Sequence, residues 1–180
     1  MTKITLIVHD IRSTHNVGSI LRTAEGFGVE KIIFSGYTPY PIFKGDTRLP
    51  HIANKLHSQI HKTALGAESL VPFQYYELLE DYISENNASS STLPIYALEQ
   101  APNSTLIQNF LPAKSFALLL GEEVNGISST YLSQCKEVIE IPMVGLKESF
   151  NVSVACGIAL YALSLNGDTL ITNNLDQPTK

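Results

Sequence analysis

Short apolar runs alternate with amphipathic segments along most of the chain. Runs rich in β-branched and aromatic residues predict strands over 4–8, 31–35, 71–76, 94–98, 115–120 and 137–141. Apolar residues at helical spacing predict helices over 16–28, 49–60, 77–86, 128–135 and 151–165. Strands that alternate with helices predict an α/β fold, in which a parallel sheet is covered by helices on both faces.

The same pattern indicates one domain. We find no internal repeat and no linker, and we assign residues 1–166 to a single domain. Residues 86–92, NNASSST, are polar and predict a surface loop. Residues 167–180 lack periodicity and predict a flexible, frayed tail.

The first predicted helix combines a core face with one outward arginine. Val17, Ile20, Leu21 and Ala24 recur at helical spacing, together with Phe27 and Gly28. At ~100° per residue, Arg22 lies nearly opposite this face and is free to reach a ligand or a partner. Asn16 is predicted to cap the helix at its start, and Gly28 at its end. From these residues alone, a capped surface helix with one exposed arginine is the favoured interpretation.

Two later loops join a predicted strand to a predicted helix with ligand-binding residue types. The first follows the strand 115–120 and holds Gly121, Glu123 and Gly126. Ligands of parallel α/β sheets bind beyond the carboxyl ends of strands, although this spacing matches neither a Rossmann nor a P-loop phosphate motif. The second loop contains Ser149 and Asn151, either of which is suited to capping the last helix or to lining a pocket.

Composition narrows the class of protein. The chain has 180 residues, of which 44% are hydrophobic and 16% are charged, a globular composition. No apolar run approaches the ~18 residues of a membrane span, and MTKITLIVHDIRS predicts a first strand rather than a signal peptide. Cys135 and Cys156 lack a C-x-x-C spacing, so we expect free thiols and a cytoplasmic location.

Charge is distributed unevenly. Residues 1–62 hold eight basic and four acidic side chains, a balance of +4, whereas the remainder balances at -9 and the whole chain at -5. A basic half is compatible with a polyanionic partner, but the charge count alone favours a chance division of solvated charges.

Three motifs occur in order along the chain. They are N-x-G-x-x-x-R-T-A from Asn16 to Ala24, G-x-E-x-x-G from Gly121 to Gly126, and I-P-M-x-x-x-x-x-S-[LF]-N-x-S-x-A from Ile141 to Ala155. Together they resemble the SpoU/TrmH-type branch of the SPOUT RNA methyltransferases, over residues 4–165. Phe150 departs from the family pattern, which more often has leucine there. The sequence pI of about 5.5 is also unusual for a protein that meets RNA.

The resemblance implies transfer of a methyl group from S-adenosylmethionine to a ribose 2′-hydroxyl of RNA, tRNA more than rRNA. It also implies a homodimer, no metal, no membrane association and a C-terminal deep trefoil knot, which general rules on chain topology would not predict. The implied cofactor-binding residues are Leu98, Gly121, Ile141, Ser149 and Phe150. The implied catalytic residues are Asn16, Arg22, Glu123, Ser149 and Asn151, with Glu123 holding its loop.

If RNA is the partner, the basic half gives its contacts. Candidate phosphate-binding residues are Arg12, Lys44, Arg48, Lys55 and Lys62. Two other classes stay open. One is a non-catalytic RNA- or cofactor-binding relative. The other is a zinc hydrolase that uses His51, His57 and His61, although the chain has no H-E-x-x-H motif.

Overall fold

Seven parallel strands form one sheet. The computed structural model describes residues 2–167 of the chain. The strands are β1 (Lys3–His9), β2 (Lys31–Ser35), β3 (Phe73–Tyr76), β4 (Ile95–Leu98), β5 (Thr105–Leu106), β6 (Ser115–Leu120) and β7 (Glu137–Glu140). Their order is β3-β2-β1-β6-β4-β7-β5, and every pairing is parallel. The predicted parallel α/β sheet is therefore confirmed.

The strand order reverses between β1 and β6. From β1 the chain proceeds outward to β2 and β3, whereas β6 and β4 lie on the other side of β1. The crevice at such a switch point, beyond the carboxyl ends of the strands, is where ligands bind in open α/β sheets. The first two motifs directly follow β1 and β6, so the fold brings them to the two sides of this point.

Helices cover both faces of the sheet. They are α1 (Thr14–Gly26), α2 (Pro50–Ala64), α3 (Leu79–Ala88), α4 (Ser129–Leu132) and α5 (Val152–Gly167). One core cluster joins the sheet to α1, α2 and α5, and a second joins it to α3, with α4 packed at its margin. The predicted cover on both faces is confirmed.

The first helix begins earlier than its pattern predicts. Ser13 is the N-cap, and its hydroxyl accepts the backbone N–H of Asn16 at 3.2 Å. The predicted capping role of Asn16 is therefore wrong, because a serine three residues earlier already fills it and leaves the amide of Asn16 free for other contacts. At the other end Phe27 is the C-cap and is exposed, and Gly28 follows with φ +64. A glycine after the C-cap in this conformation is a common helix end.

Gly18 of the first motif lets two helices approach closely. A Cβ at this position would lie 2.2 Å from the Thr63 hydroxyl and 2.3 Å from the Ile60 carbonyl oxygen. Both atoms belong to α2, which packs against α1. Any larger residue at position 18 would push α2 away from α1.

Several element ends differ from the sequence pattern. α2 runs on to Ala64 and α3 to Ala88, so the predicted polar loop starts three residues later. The two-residue β5 and the 3-10 turns at Ala67–Ser69 and Ile107–Asn109 were not predicted, because they are too short to show periodicity. Apart from Gly167, which ends α5, the predicted tail lies outside the described residues.

Candidate functional site

A cavity of about 340 Å³ lies at the carboxyl ends of β4, β6 and β7. All five residues predicted to bind the cofactor line it: Leu98, Gly121, Ile141, Ser149 and Phe150. They come from three separate loops, which the strand order brings together. Its size falls within the ~300–1,000 Å³ range of small-molecule sites.

The loop after β6 closes as a tight turn that needs two glycines. A Cβ on Gly121 would lie 2.4 Å from Ile127 Cγ1 and 2.9 Å from the Gly126 carbonyl carbon. Gly126 has φ +66, and a Cβ there would lie 2.2 Å from Glu99 Oε2. The same Glu99 oxygen accepts the backbone N–H of Ile127 at 2.9 Å. Glu99 therefore fastens the turn to the end of β4.

Hydrogen bonds join the three motifs in one chain of side chains. Asn151 Nδ2 donates to Asn16 Oδ1 at 3.1 Å, and Asn16 Nδ2 donates to Glu123 Oε1 at 3.0 Å. The carboxylate of Glu123 only accepts, and Asn151 Oδ1 accepts the backbone N–H of Ser153 at 2.9 Å. Because both ends are fixed in this way, the orientation of both amides follows. We call this chain of hydrogen bonds the amide relay.

Glu123 also holds the end of the β1–α1 loop. Its carboxylate accepts the backbone N–H groups of Arg12 at 3.2 Å and Ser13 at 3.4 Å. Burial by itself raises the pKa of Glu123, but the hydrogen bonds from Asn16 and these backbone groups outweigh it and lower the pKa below its ordinary value. The side chain is therefore a fixed anion that ties the loops after β1 and β6 together.

The other catalytic candidates lie apart from the amide relay. Ser149 and Phe150 are exposed at the cavity lip. Arg22 is exposed on the outer side of α1 and does not line the cavity. Among residues 2–167 it makes no hydrogen bond or ion pair. The structure thus brings Asn16, Glu123 and Asn151 together and leaves Arg22 available to a group from outside this chain.

Sequence reasoning missed the acidity of the cavity. Among the described residues its lining includes no lysine or arginine, but five glutamates: Glu99, Glu122, Glu123, Glu140 and Glu148. Gln100, which follows β4, was also missed, and its Nε2 donates to the Glu148 carbonyl oxygen at 2.9 Å. The signal available in the sequence was the position of Glu99, Gln100 and Glu140 at strand ends.

The predicted RNA contacts divide into free and engaged side chains. Lys44, Lys55 and Lys62 are exposed. Arg12 Nη2 lies 2.5 Å from Glu122 Oε1, which is close enough for an ion pair. The angles at these atoms are not those of a hydrogen bond. Arg48 is only 16% exposed and binds Asp46 and the carbonyl oxygens of Tyr40 and Pro41. The guanidinium of Arg48 therefore holds its own loop together, and its contact with RNA stays a prediction.

The histidines considered for zinc make separate contacts. His61 Nδ1 lies 2.5 Å from Glu68 Oε1, whereas His57 Nδ1 accepts the backbone N–H of Ile42 at 3.4 Å. Within residues 2–167, no three His, Cys, Asp or Glu side chains lie close enough to share a metal ion. In the same part of the chain, none of the helices has the length and apolarity needed to cross a membrane.

The fold and the cavity define a class, a parallel α/β domain whose ligand site is built from strand-end loops at a switch point. Comparison with known proteins is more specific. The model of the SpoU rRNA Methylase family matches residues 3–161. The chain belongs to this family.

Individual relatives agree with this assignment. The chain is 32% identical over 156 residues to the 23S rRNA (guanosine-2'-O-)-methyltransferase RlmB of Coxiella burnetii, which covers 87% of this chain and 56% of that protein. An AdoMet-bound rRNA methyltransferase from Sinorhizobium meliloti has the same fold, with a TM-score of 0.73 and 22% sequence identity. The match covers 91% of this chain and 56% of that protein's chain. The chain thus spans little more than half of the curated relative it matches.

A third neighbour is similar in length. A structure solved to explain the 2-OH methylation of C/U34 on tRNA matches 92% of this chain and 96% of its own, with a TM-score of 0.71 at 18% identity. At this identity the likeness shows a shared fold.

The amide relay gives a direct test of the site's assembly. Asn16→Asp places a carboxylate against Glu123 in place of a donor, and we expect a loss of about 1–3 kcal/mol in the free energy of unfolding. Adding Glu123→Gln supplies a donor from the other side and should recover most of that loss. Urea denaturation of both single variants and the double variant measures the coupling. Asn109→Asp changes an exposed asparagine outside the relay and is the control. Additive single effects at positions 16 and 123 would contradict the relay.

Proposed function

We propose that this protein transfers the methyl group of S-adenosylmethionine to a ribose 2′-hydroxyl of RNA. The observation that supports this most is the amide relay, which joins all three motifs beside one ligand cavity. Both tRNA and rRNA are candidate substrates. We test tRNA first, because the neighbour of nearly equal length was studied for methylation of tRNA.

The lining of the cavity suits this cofactor chemically. Leu98, Ile141 and Phe150 offer apolar surface for an adenine ring, and the cavity has no basic residue to attract phosphates. S-adenosylmethionine has no phosphate, and it has an ammonium group and ribose hydroxyls that carboxylates accept well. When bound, it supplies an electrophilic methyl group. A nucleotide cofactor such as NAD or ATP would be repelled by the five glutamates.

The residues of this chain position the RNA and stabilise charge. Transfer requires the 2′-oxygen to approach in line, so orientation is a large part of the catalysis. Asn16 and Asn151 hold the loops that meet at the cavity, and Ser149 lies at its lip to orient the ribose. Arg22 binds the adjacent phosphate and stabilises the negative charge that develops on the 2′-oxygen. A guanidinium loses its proton too reluctantly to serve as the base, so the proton of the 2′-hydroxyl passes to solvent water as the oxygen–methyl bond forms and the sulfur–methyl bond breaks.

The last helix supports the proposal of a homodimer. Cys156, Ala159 and Leu163 of α5 are buried in the core, whereas Val154, Ile158 and Tyr161 are exposed on its other side. These three apolar residues recur at i, i+4 and i+7 and form one stripe along the helix. A partner subunit that covers the stripe brings its own cavity toward the exposed Arg22 on the neighbouring α1.

Ile158→Glu tests the dimer. A buried, unpaired carboxylate in the interface is costly, so we expect the wild type to be a dimer and the variant a monomer at micromolar concentration. Light scattering coupled to size exclusion measures both masses. Leu70→Glu changes a more exposed leucine away from α5 and should leave the dimer intact. A monomeric wild type would refute the dimer.

RNA binding by the basic half has its own test. Lys44→Glu together with Lys55→Glu removes two phosphate contacts, and we expect the slope of log Kd against log salt to fall by about 1.5. Arg48 is left unchanged because it holds its loop. The matched control is Lys114→Glu with Lys136→Glu. These two lysines precede β6 and β7, at the amino ends of the strands. Equal slopes in both double variants would move the RNA surface elsewhere.

Two finer features belong to the same proposal. The segment after β7 threads the neighbouring loops as a trefoil knot, which an experimental map traced continuously from residue 121 to 167 would test. Its support is that Glu148, Ser149, Phe150, Val152 and Ala155 line the same cavity as the loop after β6.

We place the protein in the cytoplasm, in keeping with free thiols at Cys135 and Cys156.

The decisive experiment supplies purified protein with isotopically labelled S-adenosylmethionine and unmodified tRNA or rRNA. Mass spectrometry of digested nucleosides should find the label on ribose 2′-oxygens. Label on a base would refute the ribose specificity. Cofactor binding by calorimetry without transfer to any RNA would favour the non-catalytic alternative, and no binding of the cofactor would refute the proposal as a whole.

A further inference from the structure

A second cavity of about 600 Å³ lies at the carboxyl ends of β1, β2 and β3. It shares the sheet edge with the first cavity, on the other side of the switch point. Arg12 lines the second cavity and Glu122 lines the first, and their ion pair at 2.5 Å forms part of the wall between them. A ligand chain that crosses this wall would occupy both.

The two cavities differ in charge. The lining of the second contains two arginines, Arg12 and Arg48, and no acidic residue. Each guanidinium has a carboxylate partner, Glu122 or Asp46, but neither carboxylate belongs to the lining of the second cavity. Arg48 is engaged in its loop, so the positive charge that the cavity presents comes mainly from Arg12, whose side chain is 66% exposed. This charge suits an anionic ligand.

Aromatic rings are the second feature of this cavity. Tyr40 and Tyr75 stack with centroids 4.2 Å apart, and the Arg48 guanidinium lies 3.6 Å above the Tyr40 ring. Tyr37 is 51% exposed, and its backbone N–H donates to Asp10 Oδ1 at 3.1 Å, which fixes its loop. The Arg12 guanidinium lies 5.6 Å from the centroid of the Tyr37 ring and covers one of its faces. A planar ligand can therefore stack on the other face of Tyr37 without disturbing the Tyr40–Tyr75 pair.

Polar side chains without partners complete the lining. Within residues 2–167, the amide of Gln59 and the hydroxyl of Thr14 make no hydrogen bond, and both residues line the cavity half-buried. A glutamine amide offers a donor and an acceptor together, which matches the edge of a nucleobase. Positive charge, an aromatic ring with an open face and hydrogen-bonding groups without partners are the combination that binds unstacked bases of single-stranded nucleic acid.

We propose that the second cavity binds an unstacked base of the substrate RNA, with Tyr37 stacking on the base and Gln59 contacting its edge. The inference rests on the proposed function, because it takes RNA as the substrate. It adds a base-binding site on the same sheet edge as the cofactor cavity, so that the RNA is held by a base as well as by its phosphates.

The test uses fluorescently labelled ten-nucleotide homopolymers of A, C, G and U and a duplex RNA of the same length. We expect tighter binding of single strands than of duplex, and a loss of roughly 10-fold in single-strand affinity for Tyr37→Leu, the scale of one base–aromatic stack. Tyr37→Phe keeps the ring and should bind as the wild type does. Gln59→Ala should narrow the differences among the four homopolymers, whereas Gln108→Ala, an exposed glutamine outside the cavity, should not.

The outcomes separate this inference from the proposed function. Wild-type protein that binds RNA, with Tyr37→Leu binding equally well, overturns the base site and leaves the methyltransferase proposal intact. A loss that is the same for Tyr37→Phe and Tyr37→Leu also overturns it, because the hydroxyl and not the ring would then be responsible. Wild-type protein that binds no RNA overturns both. Thermal unfolding of each variant shows that the altered proteins are folded.

Discussion

Replacing Arg22 by alanine should lower the rate of methyl transfer to RNA by at least about 10²-fold, the scale expected when one preorganised charge stabiliser is lost. The helix should remain intact, because alanine is a good helix former and position 22 is exposed. Affinity for S-adenosylmethionine should be unchanged, since Arg22 does not line the cofactor cavity. Single-turnover kinetics with labelled cofactor, together with calorimetry, measure the two quantities separately.

The lysine variant distinguishes geometry from charge. Arg22→Lys should recover little activity if the planar guanidinium binds phosphate with two hydrogen bonds, and much of it if charge alone is needed. Lys136→Ala removes one exposed positive charge just before β7, at the amino ends of the strands, and is the matched control. Wild-type rates in Arg22→Ala would falsify the catalytic role and leave α1 as a helix with an exposed arginine.

Replacing Gly121 by alanine should weaken cofactor binding by about 10- to 10²-fold, because overpacking of a close-packed site typically costs about 1–3 kcal/mol and the turn that forms one cavity wall must open as well. The new methyl group would lie 2.4 Å from Ile127 Cγ1 and 2.9 Å from the Gly126 backbone. Relieving these contacts displaces Ile127 from its hydrogen bond with Glu99. Calorimetric titration with the cofactor measures the change.

The chain offers a control of the same type. Gly145 lies in the loop of the third motif, and a Cβ there would meet nothing within 4 Å. Gly145→Ala should therefore bind the cofactor as the wild type does. The affinity for RNA should be unchanged in Gly121→Ala, because the substitution distorts only the turn at the cofactor cavity. Undiminished cofactor binding in Gly121→Ala would place the cofactor in another part of the molecule.

The sheet could be predicted because most of its strands are buried on both faces. Ala117, Leu118 and Leu119 are successive residues of β6 and are all buried, so the strand appears as an unbroken apolar run. The core face of α1 follows equally from its spacing, and Val17, Ile20 and Leu21 are fully buried. The local sequence pattern predicts an element correctly where burial alone decides which type of residue each position requires.

The contacts of the site could not be predicted in this way. Asn16 was assigned a local capping role, because sequence rules apply to neighbours, whereas its partners lie 107 and 135 residues away. Arg48 was grouped with the free cations by its charge alone, and only the fold shows that Asp46 and two carbonyl oxygens engage it. The resemblance named residues at the cavity, but of the five glutamates that make it acidic it named only Glu123.

The amide relay has a consequence for the nascent chain. Its last member, Asn151, stands just before the final described helix, so a chain still emerging from the ribosome can have its first six strands and lack the relay entirely. Contacts that span such long stretches of sequence are also slow to form. Affinity for the cofactor should therefore arise only after synthesis has passed β7, late in translation, and shorter fragments should bind neither cofactor nor RNA productively.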